Sequence, residues 1–173
     1  MPQVIIIAGP NGAGKTTFAS EYLSGRQGQI VFVNADEIAR ELADQGSSPA
    51  ELDFRAGRIM LERIDDLART GVDFMFETTL ATRSYVPKII AWRERQYDVL
   101  LIYLRLPSVE ASVARVRRRV ESGGHSIPEA IIRRRFEKSR KYFERLYKSL
   151  VDEWYVRDSG EGAFTLAESW DQK

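Results

Sequence analysis

The length and composition of the chain indicate one folded domain without a membrane span or a thiol-based site. The 173 residues are 43% hydrophobic and include no cysteine, so we expect a single domain over residues 1–173 and exclude a thiolate metal site or a catalytic thiol. No apolar run approaches a membrane span and no secretory leader precedes the first strand, so we expect a cytoplasmic protein without membrane contact.

The net charge of +1 hides an uneven distribution of basic residues. Residues 105–145 contain twelve Lys and Arg against five Asp and Glu, a net charge of +7, while the rest of the chain carries −6. A surface of that sign attracts nucleic acid or closes over a polyphosphate. The phosphate-binding motif at the start of the chain favours the second interpretation.

A phosphate-binding loop follows the first predicted strand. Residues 9–16 read GPNGAGKT and match the Walker A pattern GxxxxGK[ST] directly after the β-branched run 4–8. The glycines let backbone N–H groups point inward, Lys15 reaches the β and γ phosphates, and the Thr16 hydroxyl holds Mg²⁺. The residues expected to bind ATP are Gly9, Asn11, Gly12, Ala13, Gly14, Lys15, Thr16 and Thr17.

The remaining segments alternate between strand and helix patterns. The expected strands are 3–8, 30–33, 72–76, 99–104, 154–156 and 164–166, and the expected helices are 15–23, 36–45, 49–69, 84–95, 108–121 and 128–151. On the helix over 49–69 we expect Phe54 on the buried side with Met60 and Ile64. Right-handed crossovers then predict a mostly parallel sheet with helices on both faces.

Two carboxylates follow strands of this sheet. Asp36 follows the second strand and Glu77 the third, with Thr79 beside it, so they meet the phosphate-binding loop at the carboxyl edge. Transfer of a phosphoryl group to a hydroxyl needs a carboxylate near the acceptor, and we predict that Asp36 is this base. The alternative for Asp36 is a plain helix N-cap. We expect Glu77 to complete the Mg²⁺ shell, with an ion pair to a basic residue as its alternative.

A helical lid that carries arginines is predicted over about 115–140. A glycine hinge at 123–124 joins two basic helices, which can fold over the phosphates and neutralise transition-state charge. We predict this role for Arg119 and Arg134, whereas a run of arginines is otherwise a solvated face. His125 contacts phosphate or caps the hinge. The loop at 158–160 binds adenine or forms an ordinary turn, and the aromatic stripe on the last long helix is read as core rather than as a base-stacking platform.

These motifs together resemble the zeta-toxin-like P-loop kinases over nearly the whole chain. The matching segments are GPNGAGKT at 9–16, NADEI at 34–38, FETTLATR at 76–83, RVxxGGHxIP at 119–128, RRF at 134–136 and WYVRDSG at 154–160. The resemblance implies a three-layer α/β sandwich of the P-loop kinase type with strand order 2-3-1-4-5. It also implies phosphorylation of the amino sugar of UDP-N-acetylglucosamine at its 3′-hydroxyl, with ATP and Mg²⁺, and an antitoxin as partner in a toxin–antitoxin system.

The same resemblance implies a role for each matching residue. Lys15 and Thr16 bind phosphate and metal, and Asp36 is the base. The implied acceptor-binding residues are Asp36, Glu77, Thr79 and Arg83, and the implied lid arginines are Arg119 and Arg134. Toxins of the family read EGTxR where this chain reads ETTLATR, so Arg83 aligns only with a shift.

The sequence thus predicts a kinase that transfers the γ-phosphate of ATP to a hydroxyl of a small molecule. UDP-N-acetylglucosamine is the leading acceptor, followed by another sugar nucleotide or another hydroxyl metabolite. A nucleotide-dependent nucleic-acid binder or end-processing kinase is the alternative that the basic segment favours, although no exposed aromatic platform accompanies it. The third hypothesis is a nucleotide-sensing module without turnover, and the presence of Asp36 beside the loop counts against it.

Overall fold

The computed structural model of the protein describes residues 1–26, 28–42, 48–160 and 162–171. Its strands are β1 Gln3–Ala8, β2 Val31–Val33, β3 Phe74–Thr78, β4 Asp98–Arg105, β5 Glu153–Ser159 and β6 Phe164–Ser169. Its helices are α1 Lys15–Leu23, α2 Ala35–Leu42, α3 Pro49–Thr70, α4 Val86–Glu94, α5 Val109–Glu121 and α6 Glu129–Arg145, followed by a 3₁₀ turn over Tyr147–Ser149.

The six strands form one sheet in the order β2-β3-β1-β4-β5-β6. The first five are parallel, because helices carry the chain back along the sheet, and β6 pairs with β5 in the antiparallel direction. The predicted order 2-3-1-4-5 is therefore present, and β6 extends it by one strand. The predicted α/β class is confirmed.

The central strand β1 shows why the sheet is covered on both faces. Its residues from Val4 to Ala8 are fully buried. Val4, Ile6 and Ala8 pack into the core on one face, which α3, α4 and α6 cover, while Ile5 and Ile7 pack into the core on the other face with α1. This continuous apolar pattern is typical of a parallel strand between two helical layers. Within the described residues, no helix combines the length and hydrophobicity needed to cross a membrane.

Helix ends follow local capping chemistry. Ser48 and Glu51 form a capping box at the start of α3, with the Ser48 N–H donating to Glu51 Oε2 at 2.8 Å, and Gly71 ends the helix with a φ of 73°. Ser108 caps α5 by accepting a hydrogen bond from the Ala111 N–H at 3.1 Å. These caps explain why the predicted starts of both helices lie close to the observed ones.

Several predicted boundaries differ from the structure. The strand predicted over 72–76 lies at 74–78, so Glu77 belongs to the strand itself. The helix predicted to reach residue 151 ends at Arg145, because the chain turns so that the buried Tyr147 hydroxyl donates to the Thr82 carbonyl. The predicted helix over 36–45 is observed to Leu42, and residues 43–45 lie outside the described residues.

Phe54 does not lie on the buried side of α3, and that prediction is wrong. The buried row of α3 is Ala56, Met60, Ile64 and Ala68, spaced four residues apart, whereas Phe54 is 69% exposed. Two residues before this row, the helical rotation of about 100° per residue places Phe54 nearly opposite to it. Its large apolar ring therefore faces away from the core.

Candidate active site

The phosphate-binding loop between β1 and α1 is held by close packing on three other elements. A Cβ on Gly9 would lie 2.5 Å from the Leu104 carbonyl oxygen of β4. A Cβ on Gly12, whose φ is 79°, would lie 2.9 Å from the Arg115 Cβ of α5. The Ser159 hydroxyl at the end of β5 donates to the Ala13 carbonyl at 2.8 Å. The glycines thus let the loop backbone approach its neighbours more closely than any side chain would allow.

The Lys15 side chain folds back along this loop. Its Nζ donates to the Gly9 and Pro10 carbonyls at 3.0 Å each. Burial lowers the pKa of Lys15 to about 8, against the opposite effect of the nearby Glu77 and Asp36 carboxylates. The ammonium group is therefore held at the centre of the loop, with both carboxylates close enough to act on its charge.

Thr16 and Glu77 form the pair expected of a magnesium site. The Thr16 hydroxyl lies 3.1 and 3.0 Å from the two carboxylate oxygens of Glu77, so the partner of Glu77 is this hydroxyl. Desolvation raises the pKa of Glu77 above its ordinary value, while Lys15 and the Thr16 hydroxyl oppose this shift. A hydroxyl and a single carboxylate, completed by nucleotide phosphates and water, fit the oxygen donor set that Mg²⁺ prefers. The described residues contain no cluster of three or more acidic, His or Cys side chains that would hold a metal without phosphate.

Asp36 lies in the first turn of α2 with its side chain exposed. The cap of this helix is Asn34, whose side-chain oxygen accepts from the Asp36 N–H at 2.8 Å and whose carbonyl accepts from the Ile38 N–H at 3.2 Å. The alternative that Asp36 is a plain N-cap is therefore wrong, because Asn34 is the N-cap of α2. The Asp36 carboxylate is left facing a cavity that it shares with Lys15 and Glu77.

This cavity has a volume of about 730 Å³, within the range typical of small-molecule sites. The predicted site residues that line it are Asn11, Gly12, Gly14, Lys15, Thr16, Thr17, Asp36, Glu77, Thr79, Arg119 and Arg134. Gly9 and Ala13 do not line it. The buried Oδ1 atom of Asn11 has no hydrogen-bond partner among the described residues, which leaves an acceptor free at the loop.

A strained turn presents Thr79 to the cavity. Leu80, which is fully buried, adopts a φ of 58°, a conformation that costs energy for a residue with a side chain. The Thr78 hydroxyl stabilises the turn by accepting from the Leu80 N–H at 3.0 Å. Tyr85 lies in the same wall with its pKa raised by burial, and a hydrogen bond to Thr78 opposes that shift.

The predicted lid region contributes arginines to the lining of the cavity. Arg119 and Arg134 line the cavity, and Arg135 and Lys138 join them. Gly123, with a φ of 90°, and Gly124 end α5 by donating to the Val120 and Arg119 carbonyls at 2.9 and 2.8 Å. The basic side chains of two helices therefore converge on one space from either side of the glycine hinge.

His125 reaches across the mouth of the cavity to α3. Its Nε2 lies 3.5 Å from Asp53 Oδ2, and both side chains are about half exposed. The phosphate contact and the cap stay predictions for His125, and the observed contact is the one with Asp53. It joins the hinge segment to a helix that the sequence did not connect with the site.

Two predicted positions lie apart from the cavity. Arg83 does not line it, and its guanidinium lies 5.5 Å from the centre of the Tyr142 ring. In the candidate adenine loop, Asp158 accepts two hydrogen bonds from Arg105, and Ser159 is bound by Arg115 as well as to the phosphate-binding loop. This segment ties the β5–β6 hairpin to the site.

The sequence analysis missed the contribution of α3. Phe54, Gly57, Arg58 and Leu61 line the cavity together with Asp53. The signal in the sequence is Gly57 in the middle of an otherwise regular helix, with the aromatic Phe54 three positions before it. Their meaning depends on the packing of α3 beside α2, which no local pattern records.

Comparison with known proteins places this geometry in a family. Residues 4–146 match the family model described as an AAA domain. An uncharacterised protein of Haemophilus influenzae is 31% identical over 134 residues, which are 78% of this chain and 92% of that protein.

Two solved structures share the fold. A chain of the PezAT chromosomal toxin–antitoxin system of Streptococcus pneumoniae matches with a TM-score of 0.72 and 19% identity, over 100% of this chain and 73% of that chain. The AvrRxo1-ORF1:-ORF2 complex with ATP matches with a TM-score of 0.73 and 18% identity, over 98% of this chain and 58% of that chain. The predicted resemblance to zeta-toxin-like P-loop kinases is confirmed at the level of the fold. The sheet and the phosphate-binding loop of this chain show a P-loop kinase-like fold. The match over residues 4–146 shows that the chain belongs to the AAA domain family.

Proposed function

We propose that this protein is an ATP- and Mg²⁺-dependent kinase that transfers the γ-phosphate of ATP to a hydroxyl group of a small molecule. The observation that carries the proposal is the position of Asp36, whose carboxylate shares a cavity with Lys15 and the Thr16–Glu77 pair. Kinases work mainly by positioning and by electrostatic stabilisation, and this cavity supplies groups for both.

Each side chain has a distinct task in this proposal. Asp36 accepts the proton of the acceptor hydroxyl as its oxygen attacks the γ-phosphorus, and the bond to the β,γ-bridging oxygen breaks. Lys15 leaves its loop carbonyls to contact the phosphates, and Arg119 and Arg134 neutralise charge on the transferring group. Thr16 and Glu77 would hold Mg²⁺, which neutralises charge on the β- and γ-phosphates when it is bound.

The leading acceptor is a nucleotide sugar such as UDP-N-acetylglucosamine. In the described part of the chain the cavity is lined by seven Lys and Arg side chains against three carboxylates, more positive charge than a metal-bound triphosphate needs. An acceptor that itself carries phosphate fits this excess. Because ATP is the donor, the reaction belongs in the cytoplasm, and the fold shared with the PezAT toxin–antitoxin system suggests an antitoxin protein as a partner.

A panel assay tests the proposal. The protein is incubated with ATP, Mg²⁺ and nucleotide sugars, nucleosides, free sugars or 5′-hydroxyl oligonucleotides, and mass spectrometry detects any product that has gained one phosphate. We expect phosphate on a nucleotide sugar. Phosphate on an oligonucleotide end would instead establish the end-processing alternative, and the absence of any acceptor product would contradict the kinase proposal.

Replacement of Asp36 separates chemistry from binding. Asp36→Asn keeps the shape of the side chain and removes the base, so we expect ATP affinity to be retained and turnover to fall by about two to four orders of magnitude. Lys15→Ala is the comparison variant, because it removes a phosphate-binding group, and it should lower both the ATP affinity and the turnover. Turnover that survives in Asp36→Asn would assign the base to another group.

A further inference from the structure

One wall of the cavity is a helix face that the phosphate chemistry does not use. Asp53, Phe54, Gly57, Arg58 and Leu61 are spaced so that they lie along one side of α3, and all five line the cavity together with Ala56 and Met60 of the buried row. Phe54 is 69% exposed. The other large hydrophobic side chains that are strongly exposed in the described residues do not line the cavity.

Gly57 has no explanation within the fold itself. It lies in the middle of the 22-residue helix α3, where glycine is a poor helix former compared with alanine. Its backbone is ordinary helix, and a Cβ placed there would meet no atom within 4 Å. The missing side chain therefore leaves open space in the cavity one helical turn from the Phe54 ring, as a close approach by a ligand would require.

This face lies on the side of the cavity that carries Asp36, the base in the proposed function. Helix α3 runs beside α2, which carries Asp36, and the Arg63 guanidinium on α3 pairs with Glu41 on α2 at 2.9 Å. The phosphate-binding loop lies against β4, α5 and the β5–β6 hairpin instead. The contact of His125 with Asp53 joins the hinge segment to the same helix, and Ile127 of that segment also lines the cavity.

We propose that Phe54 and Gly57 form a platform on which a flat ring of the acceptor stacks, and that this platform determines which acceptors are used. The inference rests on the proposed kinase function and adds a chemical class to it. The ring that stacks there is either the nucleobase of the acceptor or the sugar that bears the reacting hydroxyl, through its apolar face. Phe54 supplies the aromatic surface and Gly57 the space beside it.

Steady-state kinetics with UDP-N-acetylglucosamine as the probe tests the platform. We expect Phe54→Ala and Phe54→Leu to raise the KM for the probe about tenfold or more, while Phe54→Trp stays within about threefold of the wild type. Gly57→Ala should raise the melting temperature, because alanine favours helix, and still raise the KM for the probe. Ile90→Ala is the matched control, since Ile90 is exposed on α4 and does not line the cavity.

Saturation-transfer NMR then identifies the ring and separates this inference from the proposed function. With wild-type protein we expect saturation transfer to either the uracil or the sugar protons of the probe. The protons that receive it should show no transfer with the Phe54→Ala variant. Binding of the probe, with no phosphorylation of it or of any other acceptor in the panel, would overturn the kinase proposal and leave the platform standing. Three results would overturn the platform. They are the absence of saturation transfer in the wild type, an unchanged KM for the probe in Phe54→Ala and Gly57→Ala, and a rise in the KM for ATP in place of the KM for the probe.

Discussion

Lys15 is held by carbonyl groups that a nucleotide must replace. Its Nζ donates to Gly9 and Pro10, and burial has already lowered its pKa to about 8. Phosphate oxygens are far stronger partners for an ammonium group than peptide carbonyls. Binding of ATP should therefore draw a proton onto this lysine at any pH at which it is partly neutral.

This linkage predicts how ATP affinity changes with pH. Below pH about 8 Lys15 is already charged, so proton uptake is small and affinity is nearly constant. Above that value each bound ATP must take up a proton, so the affinity should fall by about tenfold per pH unit. Calorimetric titration with ATP in the presence of EDTA, at several pH values from about 6 to 10, measures the effect without the metal.

Lys15→Arg provides the control for this pH profile. A guanidinium stays charged throughout the range, so the alkaline loss should disappear even where the affinity itself is lower. A wild-type affinity that does not change up to pH about 10 would mean that Lys15 keeps an ordinary pKa in the free protein.

At the scale of single residues, the sequence supports inference only where chemistry follows from a motif. Lys15, Thr16 and Glu77 lie as predicted because a loop between a strand and a helix, and a carboxylate at a strand end, meet at one edge of a parallel sheet. Phe54 could not be placed, because a helical periodicity does not say which of two apolar rows becomes the core. Arg83 lies outside the cavity although its neighbours Thr82 and Ser84 line it, because its guanidinium lies over the Tyr142 ring of α6.

Among the larger elements, the contact between the phosphate-binding loop and α5 is set by Gly12. A side chain there would combine a left-handed backbone with a Cβ 2.9 Å from the Arg115 Cβ. We expect Gly12→Ala to lower the free energy of unfolding by about 2–4 kcal/mol and to abolish detectable ATP binding. Chemical denaturation and calorimetry measure the two effects.

Gly25→Ala separates backbone strain from this contact. Gly25 has a comparable φ of 84° with no atom within 4 Å of its added Cβ, so only the strain of about 1–2 kcal/mol is expected, with ATP affinity unchanged. Equal losses in the two variants would show that the contact of the loop with α5 adds nothing to stability.

The lid arginines are predicted to act on the transition state. Arg119 and Arg134 stand on two helices that a glycine hinge joins, and charge on the γ-phosphate grows only as the group transfers. We therefore expect Arg119→Ala and Arg134→Ala to lower kcat by about tenfold to a thousandfold and to change the affinity for ATP by less than about fivefold. Arg117→Ala is the control, because Arg117 is exposed and paired with Glu129. A loss confined to ATP affinity would assign these arginines to ground-state binding.

The presence of the helices and strands could be predicted from the periodicity of apolar residues. Their ends could be predicted only where the sequence contains a capping residue. Ser48 and Ser108 mark the starts of α3 and α5, whereas the end of α6 depends on Tyr147 turning inward to the Thr82 carbonyl. That bond joins residues 65 positions apart, and no local pattern contains it. The shift of β3 by two residues has the same origin, since its register is set by β1.

For the molecule as a whole, some arginines of the basic segment form surface ion pairs and others line the cavity. Arg117 and Arg133 are paired with Glu129 and Glu110 on the outside of α5 and α6. The other group, Arg119, Arg134, Arg135 and Lys138, lines the cavity and makes no ion pair within the described residues. The Arg133–Glu129 pair has the spacing of one helical turn, whereas the pairs of Arg117 with Glu129 and of Arg133 with Glu110 join two helices and follow from no local spacing.

This division predicts weak binding of nucleic acid. The side chains of Arg119, Arg134, Arg135 and Lys138 line a cavity of about 730 Å³ rather than an open stripe, so a labelled oligonucleotide should bind no better than the non-specific range of about 10⁻⁴ to 10⁻⁶ M at physiological salt. Fluorescence anisotropy at several salt concentrations measures the affinity and its salt slope for the wild type, Arg119→Ala and Arg134→Ala. A submicromolar affinity, with a salt slope that falls by about one for each arginine removed, would assign Arg119 and Arg134 to nucleic-acid binding in place of phosphoryl transfer.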